Sequence, residues 1–240
     1  KSQDAGVVGV IAAGYEAGGQ VGHEGISTLC VVPQLVEALE IPVVASGGFC
    51  DGRGLAAALA LGAEGIAMGT RFVMTQECPI APEAKQVYIK ARDKDALLNL
   101  RYDGLPLRSI KGEKVKRYRG WWSRPWEVMP SVIAMKTTFR YESLKALIQG
   151  GLTLKRTLGA PLIQYVCGGD MMRRGLHEGD TNRGIFPAGQ IVGHIKNIPT
   201  CQELVEGIVA EAEQVIETMG QRYAPLAKMK TQQQKHKEGK

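Results

Sequence analysis

The sequence has no paired-cysteine motif. Its five cysteines, Cys30, Cys50, Cys78, Cys167 and Cys201, are odd in number and scattered, with no Cys-x-x-Cys and no histidine at metal-ligand spacing. That pattern excludes a disulfide framework and a zinc knuckle, predicts no bound metal, and fits a reducing cytoplasmic setting. Long apolar runs are also missing. The least polar stretch, 55–69, is broken by Glu64 and by glycines, well short of the roughly 20 apolar residues of a spanning helix, so no membrane association is expected. The opening Lys1-Ser2-Gln3-Asp4-Ala5-Gly6 holds neither an initiator Met nor an apolar core, so no secretory leader is expected and the chain reads as a fragment. Wholesale disorder is excluded in turn, because apolar residues make up 44% of the 240 residues and charged ones 22%, as in globular domains.

Glycine is what the chain has in excess: 30 residues, with no collagen-like period, nearly twice the background of about 7%. Basic residues are in excess too, giving a net charge of +6, but only locally. Seven of the 30 lysines and arginines fall between Arg108 and Arg124 beside one acid, and six between Gln221 and Lys240 beside one acid; the remaining 17 face 22 acidic residues. The basicity belongs to two patches on an acidic body. The first patch also carries Tyr118, Trp121, Trp122 and Trp126. Such a segment stacks bases or binds phosphates in some proteins, attracts phosphorylated partners such as NADPH or an acyl thioester carrier in others, or forms a lid whose aromatics pack on a pocket mouth. The lid is the favoured reading, with nucleic acid the less favoured partner.

Hydrophobic periodicity gives one unit repeated three times. Val7–Ala12 reads as a buried strand followed by a glycine loop and helical spacing over Val32–Leu39. Pro42–Ser46 is a second strand, with a Gly47-Gly48 turn and a small-residue helix over Gly52–Leu61; Gly65–Met68 is a third, with helix resuming at Thr70. Strand, glycine loop and helix in repetition predict a parallel α/β sheet. Further on, Glu83–Arg92 and Tyr141–Gln149 have helical spacing, 103–130 has no regular pattern, and Cys167–Gln190 reads as a glycine-rich loop. Thr200 with Glu203 forms a capping box, and an apolar stripe then runs to Met219, stopped by Gly220. The expected organisation is strand–helix units over 1–100, a lid or insertion over 101–165, a closing loop and helix over 166–220, and a disordered basic tail over 221–240.

In parallel α/β folds the carboxyl ends of the strands share one face, where ligands bind. Here each strand runs into glycines: Gly14 and Gly18-Gly19, then Gly47-Gly48, then Gly69-Thr70. Glycine lets backbone N–H groups approach an oxyanion closely, and a following helix N-terminus favours negative charge. Three such turns in register predict a phosphate cradle, whereas any one alone would be an ordinary tight turn.

The segments Glu16-Ala17-Gly18-Gly19-Gln20-Val21-Gly22, Val43-Val44-Ala45-Ser46-Gly47-Gly48-Phe49, Ala63–Phe72 and Ala188-Gly189-Gln190-Ile191 closely resemble, in order and spacing, the 2-nitropropane dioxygenase family. That family includes nitronate monooxygenases and flavin-type enoyl-acyl-carrier-protein reductases. The resemblance runs from about Asp4 to Met219 and implies the carboxyl-terminal part of a (β/α)8 TIM barrel, with a helical or irregular insertion and a closing C-terminal helix. It implies FMN as a non-covalent cofactor, with Gly18, Gly19 and Gln20 beside the flavin, and Gly47, Gly48, Ala67, Met68, Gly69 and Thr70 around its phosphate. It implies oxidation of alkyl nitronates with O2, the first reading. NAD(P)H-dependent reduction of an enoyl thioester or a quinone is the second, and a non-catalytic module using the basic segment is the third.

Two positions depart from the family's pattern. Its usual histidine after Gly-Gly, which takes the substrate proton or orients substrate, is Gln20 here, and an amide cannot act as a base near neutral pH. His23 is the candidate replacement, so the catalytic candidates are Gln20 and His23. Ala13 stands where the family often has a glutamine that donates to the flavin. Among weaker candidates, Arg71 follows the phosphate turn, Glu16 would position the loop, and Gln190 would face the ring by resemblance. His194 reads as a packing residue and His177 as a solvated one.

Overall fold

A computed structural model describes residues 3–112, 126, 130, 131, 133 and 162–238. After strand β1 (Val10–Ala13), a short strand β2 (Gly19–Gln20) and helix α1 (Thr28–Ala38) lead to β3 (Val43–Ser46), α2 (Gly52–Ala60) and β4 (Gly65–Ala67). Strands β1, β3 and β4 form one parallel sheet in that order. Ala13 pairs with Ser46, and Ser46 with Ala67, so the three strands end level. Ala12, Val43 and Ala45 turn towards the helices and pack with Val32 and Ala58, because small side chains let both helices lie close to the sheet. On the other face Ile11 is 66% exposed. The strand begins three residues later than the sequence predicts, leaving Val7 and Val8 exposed, since the first bond to the neighbouring strand is Val10 N–H to Pro42 O at 2.9 Å.

A short helix α3 (Thr70–Val73) and α4 (Pro82–Lys90) precede a second, antiparallel sheet. Its strands are β2, β5 (Leu97–Asn99), β6 (Leu107–Lys111) and β7 (Ile185–Pro187), with β6 bonded to each of the other three. Strand β6 lies inside the stretch predicted to be irregular. Its first four residues are all buried, Arg108 among them, so no alternating pattern marks it in the sequence. Tyr88 and Phe186 meet edge to face at 6.2 Å in the core behind this sheet, and Tyr88 Oη donates to Pro187 O at 2.7 Å. Burial accordingly pushes the Tyr88 phenol well above its ordinary range.

Two predictions for the carboxyl-terminal third need correction. The stretch beginning at Cys167 is not a loop to Gln190 but continues helix α5 (Leu162–Leu176). Its glycines mark close approach: a Cβ on Gly168 would lie 2.8 Å from Asp103 Cβ, and one on Gly175 2.7 Å from Ile185 O. The last helix, α6 (Cys201–Glu238), has the expected capping box, with Thr200 N–H donating to Glu203 Oε2 at 2.8 Å and Glu203 N–H to Thr200 Oγ1 at 3.1 Å. It does not stop at Gly220 but runs on to Glu238, inside the stretch predicted as a disordered tail. Gly220 is not among the glycines with positive φ, so no left-handed cap ends the helix there. The Tyr141–Gln149 helix and Tyr118, Trp121 and Trp122 lie outside the described residues, while Trp126 is 70% exposed.

Helix α6 seats on α2 through Gly52, where a Cβ would lie 2.5 Å from Ala212 N and Ile208 O and where Gly52 N–H donates to Glu211 at 2.7 Å. Gly52→Val is expected to cost about 1–3 kcal/mol by forcing the two backbones apart. Thermal denaturation reads this as a lower Tm, and an unchanged Tm would contradict the seating.

Candidate active site

The level strand ends bring Gly14, Gly47-Gly48 and Gly69 to one face, and Gly14 N–H donates to Ser46 O at 2.9 Å across the first pair. A cavity of about 230 Å³ opens there. Gly18, Gly19, Gly47, Gly48, Ala67, Met68, Gly69 and Thr70 all line it. Among the described residues, no aspartate or glutamate lines it. Gly47 and Gly48 have φ of +101° and +82°, a conformation other residues adopt only with strain. A Cβ on Gly47 would also sit 3.0 Å from Ala17 N. Among the described residues, no loop or turn hydrogen bond uses the N–H of Gly48 or Gly69. Thr70 Oγ1 accepts from Gly189 N–H at 2.9 Å, which leaves its own proton free to point into the cavity. The helix termini contribute less than the sequence suggests. Helix α3 is four residues long, and the start of α2 is occupied by Asp51, which accepts from Gly54 N–H at 2.9 Å, and by Glu211.

The glycine loop over residues 14–19 is held from below. Glu16 accepts from the Thr28 N–H and hydroxyl, both at 2.8 Å, and Gln190 N–H donates to Glu16 O at 3.0 Å. Glu16 therefore positions the loop, while the Gln190 side chain is exposed at the rim. Sequence reasoning missed Arg108, counting it among the charges of the basic patch. Its guanidinium is buried and donates to the carbonyls of Tyr15, Ala17 and Ala96 at 2.8, 3.2 and 3.4 Å. It also lies 4.5 Å from the Tyr15 ring centroid, a cation–π contact. A planar fork reaches three carbonyls where a lysine ammonium would not. The available signal was an arginine inside the otherwise uncharged run Leu105–Ile110.

Gln20 follows the lining residue Gly19 but does not itself line the cavity; it is exposed, and its Nε2 donates to Asp103 at 2.9 Å. His23 is exposed and not in the cavity, so the loop does not bring it to the glycines. Ala13 is exposed on the open face of the sheet. Arg71 turns away from the strand ends, buried and donating to Asn197 O and Oδ1 at 3.2 and 2.8 Å. It borders a second cavity of about 520 Å³ with Cys50, Arg53 and Glu211. His194 is not a packing residue: its side chain is 58% exposed, 3.9 Å from Asp93. His177 is solvated, as expected. Among the described residues, no cluster of three His, Cys, Asp or Glu side chains is placed to hold a metal ion, and no helix is long and apolar enough to cross a membrane.

The Cys50 thiol, in that second cavity, is pushed up to about 11 by burial and then by the Asp51 carboxylate. Only a thiolate is a good nucleophile, so Cys50 stays unreactive until the pH approaches that value. Alkylation with iodoacetamide at mildly alkaline pH, followed by peptide mapping, is expected to label exposed Cys30 well before Cys50. Equal labelling would contradict the burial.

A family model for nitronate monooxygenase matches residues 2–211. The chain is 35% identical over 219 residues to a (3aS,4S,5R,7aS)-5-hydroxy-7a-methyl-1-oxo-octahydro-1H-indene-4-carboxyl-CoA dehydrogenase of Rhodococcus jostii, covering 88% of this chain and 60% of that protein. The structure resembles FabK from Thermotoga maritima, with a TM-score of 0.66 and 29% identity over 91% of this chain and 58% of that one. It also resembles a nitroalkane oxidase from Streptomyces ansochromogenes, with a TM-score of 0.62 and 25% identity over 89% and 55% of the two chains. The chain thus spans somewhat over half the length of these relatives. With its glycine turns gathered around one cavity and the match running through residue 211, the chain belongs to the nitronate monooxygenase family.

Proposed function

We propose that the protein is an FMN-dependent oxidoreductase and that its substrate is a coenzyme A thioester. The observation that carries the cofactor is the glycine cradle at the level ends of β1, β3 and β4. Gly48 and Gly69, whose N–H groups enter no loop or turn hydrogen bond among the described residues, line it together with Thr70, and no aspartate or glutamate of the described residues does, as a dianionic phosphate requires. At about 230 Å³ the cavity suits the phosphate end of a flavin and not the whole molecule, since complete ligand sites run from about 300 Å³ upward. The three-stranded sheet is read as an arc of a (β/α)8 barrel, with its open face towards the barrel interior.

Bound there, FMN supplies a two-electron acceptor and donor. The chain's own residues bind and orient. Gly47, Gly48, Gly69 and Thr70 hold the phosphate, Arg108 and Glu16 fix the loop that carries Gly18 and Gly19, and Gln20 faces the substrate side. Gln20 cannot remove a proton, and His23 is not brought to the cavity. This favours a reaction that needs no base on this loop. The thioester substrate is supported separately, by the long match to a CoA-thioester dehydrogenase over 88% of the chain. Its name places a hydroxyl on the carbon beside the one bearing the thioester. Nitronate oxidation is the second reading, favoured by the family model and by the fact that a nitronate has already lost its proton.

Anaerobic mixing of the purified yellow protein with NADH, and separately with propane-2-nitronate, tests the choice. The proposal predicts that NADH bleaches the visible flavin band and that the nitronate does not. Bleaching by the nitronate alone would establish the second reading, and a colourless protein would overturn the cofactor assignment.

A further inference from the structure

Gln20 is fixed at both its backbone and its side chain. Strand β2 pairs with β6, Gly19 opposite Arg108 and Gln20 opposite Leu107, and Val21 N–H donates to Pro106 O at 2.9 Å. The side-chain Nε2 donates to Asp103 Oδ2 at 2.9 Å. Asp103 is fully buried, and its Oδ1 accepts from Leu105 N–H at 3.0 Å. Helix α5 approaches it closely at Gly168, where a Cβ would meet Asp103 Cβ at 2.8 Å. The carboxylate is thus buried, held at Oδ1 by a backbone N–H and backed by helix α5.

This arrangement decides which end of the Gln20 amide faces outward. A carboxylate only accepts hydrogen bonds, so turning the amide over would place Oε1 against Oδ2, oxygen to oxygen. The NH2 group is held inward and Oε1 points outward. Gln20 is exposed, follows the cavity-lining Gly18 and Gly19, and its Oε1 has no partner among the described residues. A carbonyl oxygen held in one orientation accepts hydrogen bonds and cannot donate them.

We propose that Gln20 is a specificity-determining residue, with Asp103 as its positioning residue, and that its outward carbonyl selects substrates bearing a hydroxyl donor near the reacting carbon. The inference rests on the reading that Gly18–Gln20 lie beside the flavin. A 3-hydroxyacyl thioester meets the requirement. A nitronate does not, because its oxygens accept only and would face another acceptor.

The test uses the yellow protein and two probes that differ by one hydroxyl, 3-hydroxybutyryl-CoA and butyryl-CoA, with Kd read from perturbation of the flavin spectrum. The wild type is expected to bind the hydroxy ester about tenfold or more tightly than the deoxy ester, the worth of one well-made hydrogen bond. Gln20→Met is expected to abolish that preference, and Asp103→Asn to weaken it, while both variants keep their flavin. Equal affinities in the wild type, or a preference that survives in both variants, would overturn the proposal; a colourless wild type would instead overturn the underlying cofactor reading. A second measurement needs neither flavin nor substrate and reads only the positioning contact. In protein labelled with 15N-glutamine, the Gln20 side-chain NH2, assigned by its loss in Gln20→Met, is expected to exchange slowly with solvent and to lose that protection in Asp103→Asn. Exchange unaffected by Asp103→Asn would show that Asp103 does not hold the amide.

Discussion

The site depends on three parallel strands stopping at the same height. Ala13, Ser46 and Ala67 are register partners, and the turns that follow all three border one cavity. The chain must leave each strand sharply at that level, and at Gly47-Gly48 it does so with two successive residues of positive φ. Side chains there would strain the backbone, and one at Gly47 would press on Ala17 N and Thr28 Oγ1. Glycine backbone consequently borders the space, and among the described residues no cationic side chain lines it, so under the proposed function an anion would be met there by backbone N–H groups.

A cradle made of glycines has little rigidity of its own, and the second sheet supplies it. Strand β6 pairs with β2 and sends the Arg108 guanidinium under the loop to three carbonyls. The same segment, through Asp103, fixes Gln20. Helix α5 can press on Asp103 because residue 168 has no side chain. Tyr15 and Ala17 at one end of the loop and Gln20 at the other are thus both held by residues 103–108, within the stretch that the sequence marks as an insertion.

The parallel half of the molecule was legible because its strands are short apolar runs punctuated by glycine, and because order and spacing of those glycines recur. Gly18, Gly19, Gly47, Gly48, Gly69 and Thr70 followed from the same pattern and Ala67 and Met68 from the family resemblance, and all of them border the cavity, whereas Gly14 does not. Strand β6 was not legible, since a strand buried on both faces shows no alternation and this one carries an arginine. Arg108 and Asp103 reach the site from more than 80 residues beyond Gln20, a contact that no local pattern encodes. Gly168 and Gly175 misled for a related reason: glycine in a loop and glycine at a helix crossing look alike until the neighbouring backbone is known. The tail misled because Gly220 does not take up the left-handed conformation that ends a helix.

Whether the strand-end amides bind a dianion is read most directly by comparing FMN with riboflavin. The two ligands share the ring and the polyol and differ only in the phosphate. Fluorescence titration of flavin-stripped protein is predicted to give a Kd for FMN about a hundredfold or more below that for riboflavin, as several charge-assisted hydrogen bonds would produce. Equal affinities would contradict the account, because the glycine turns would then hold no phosphate.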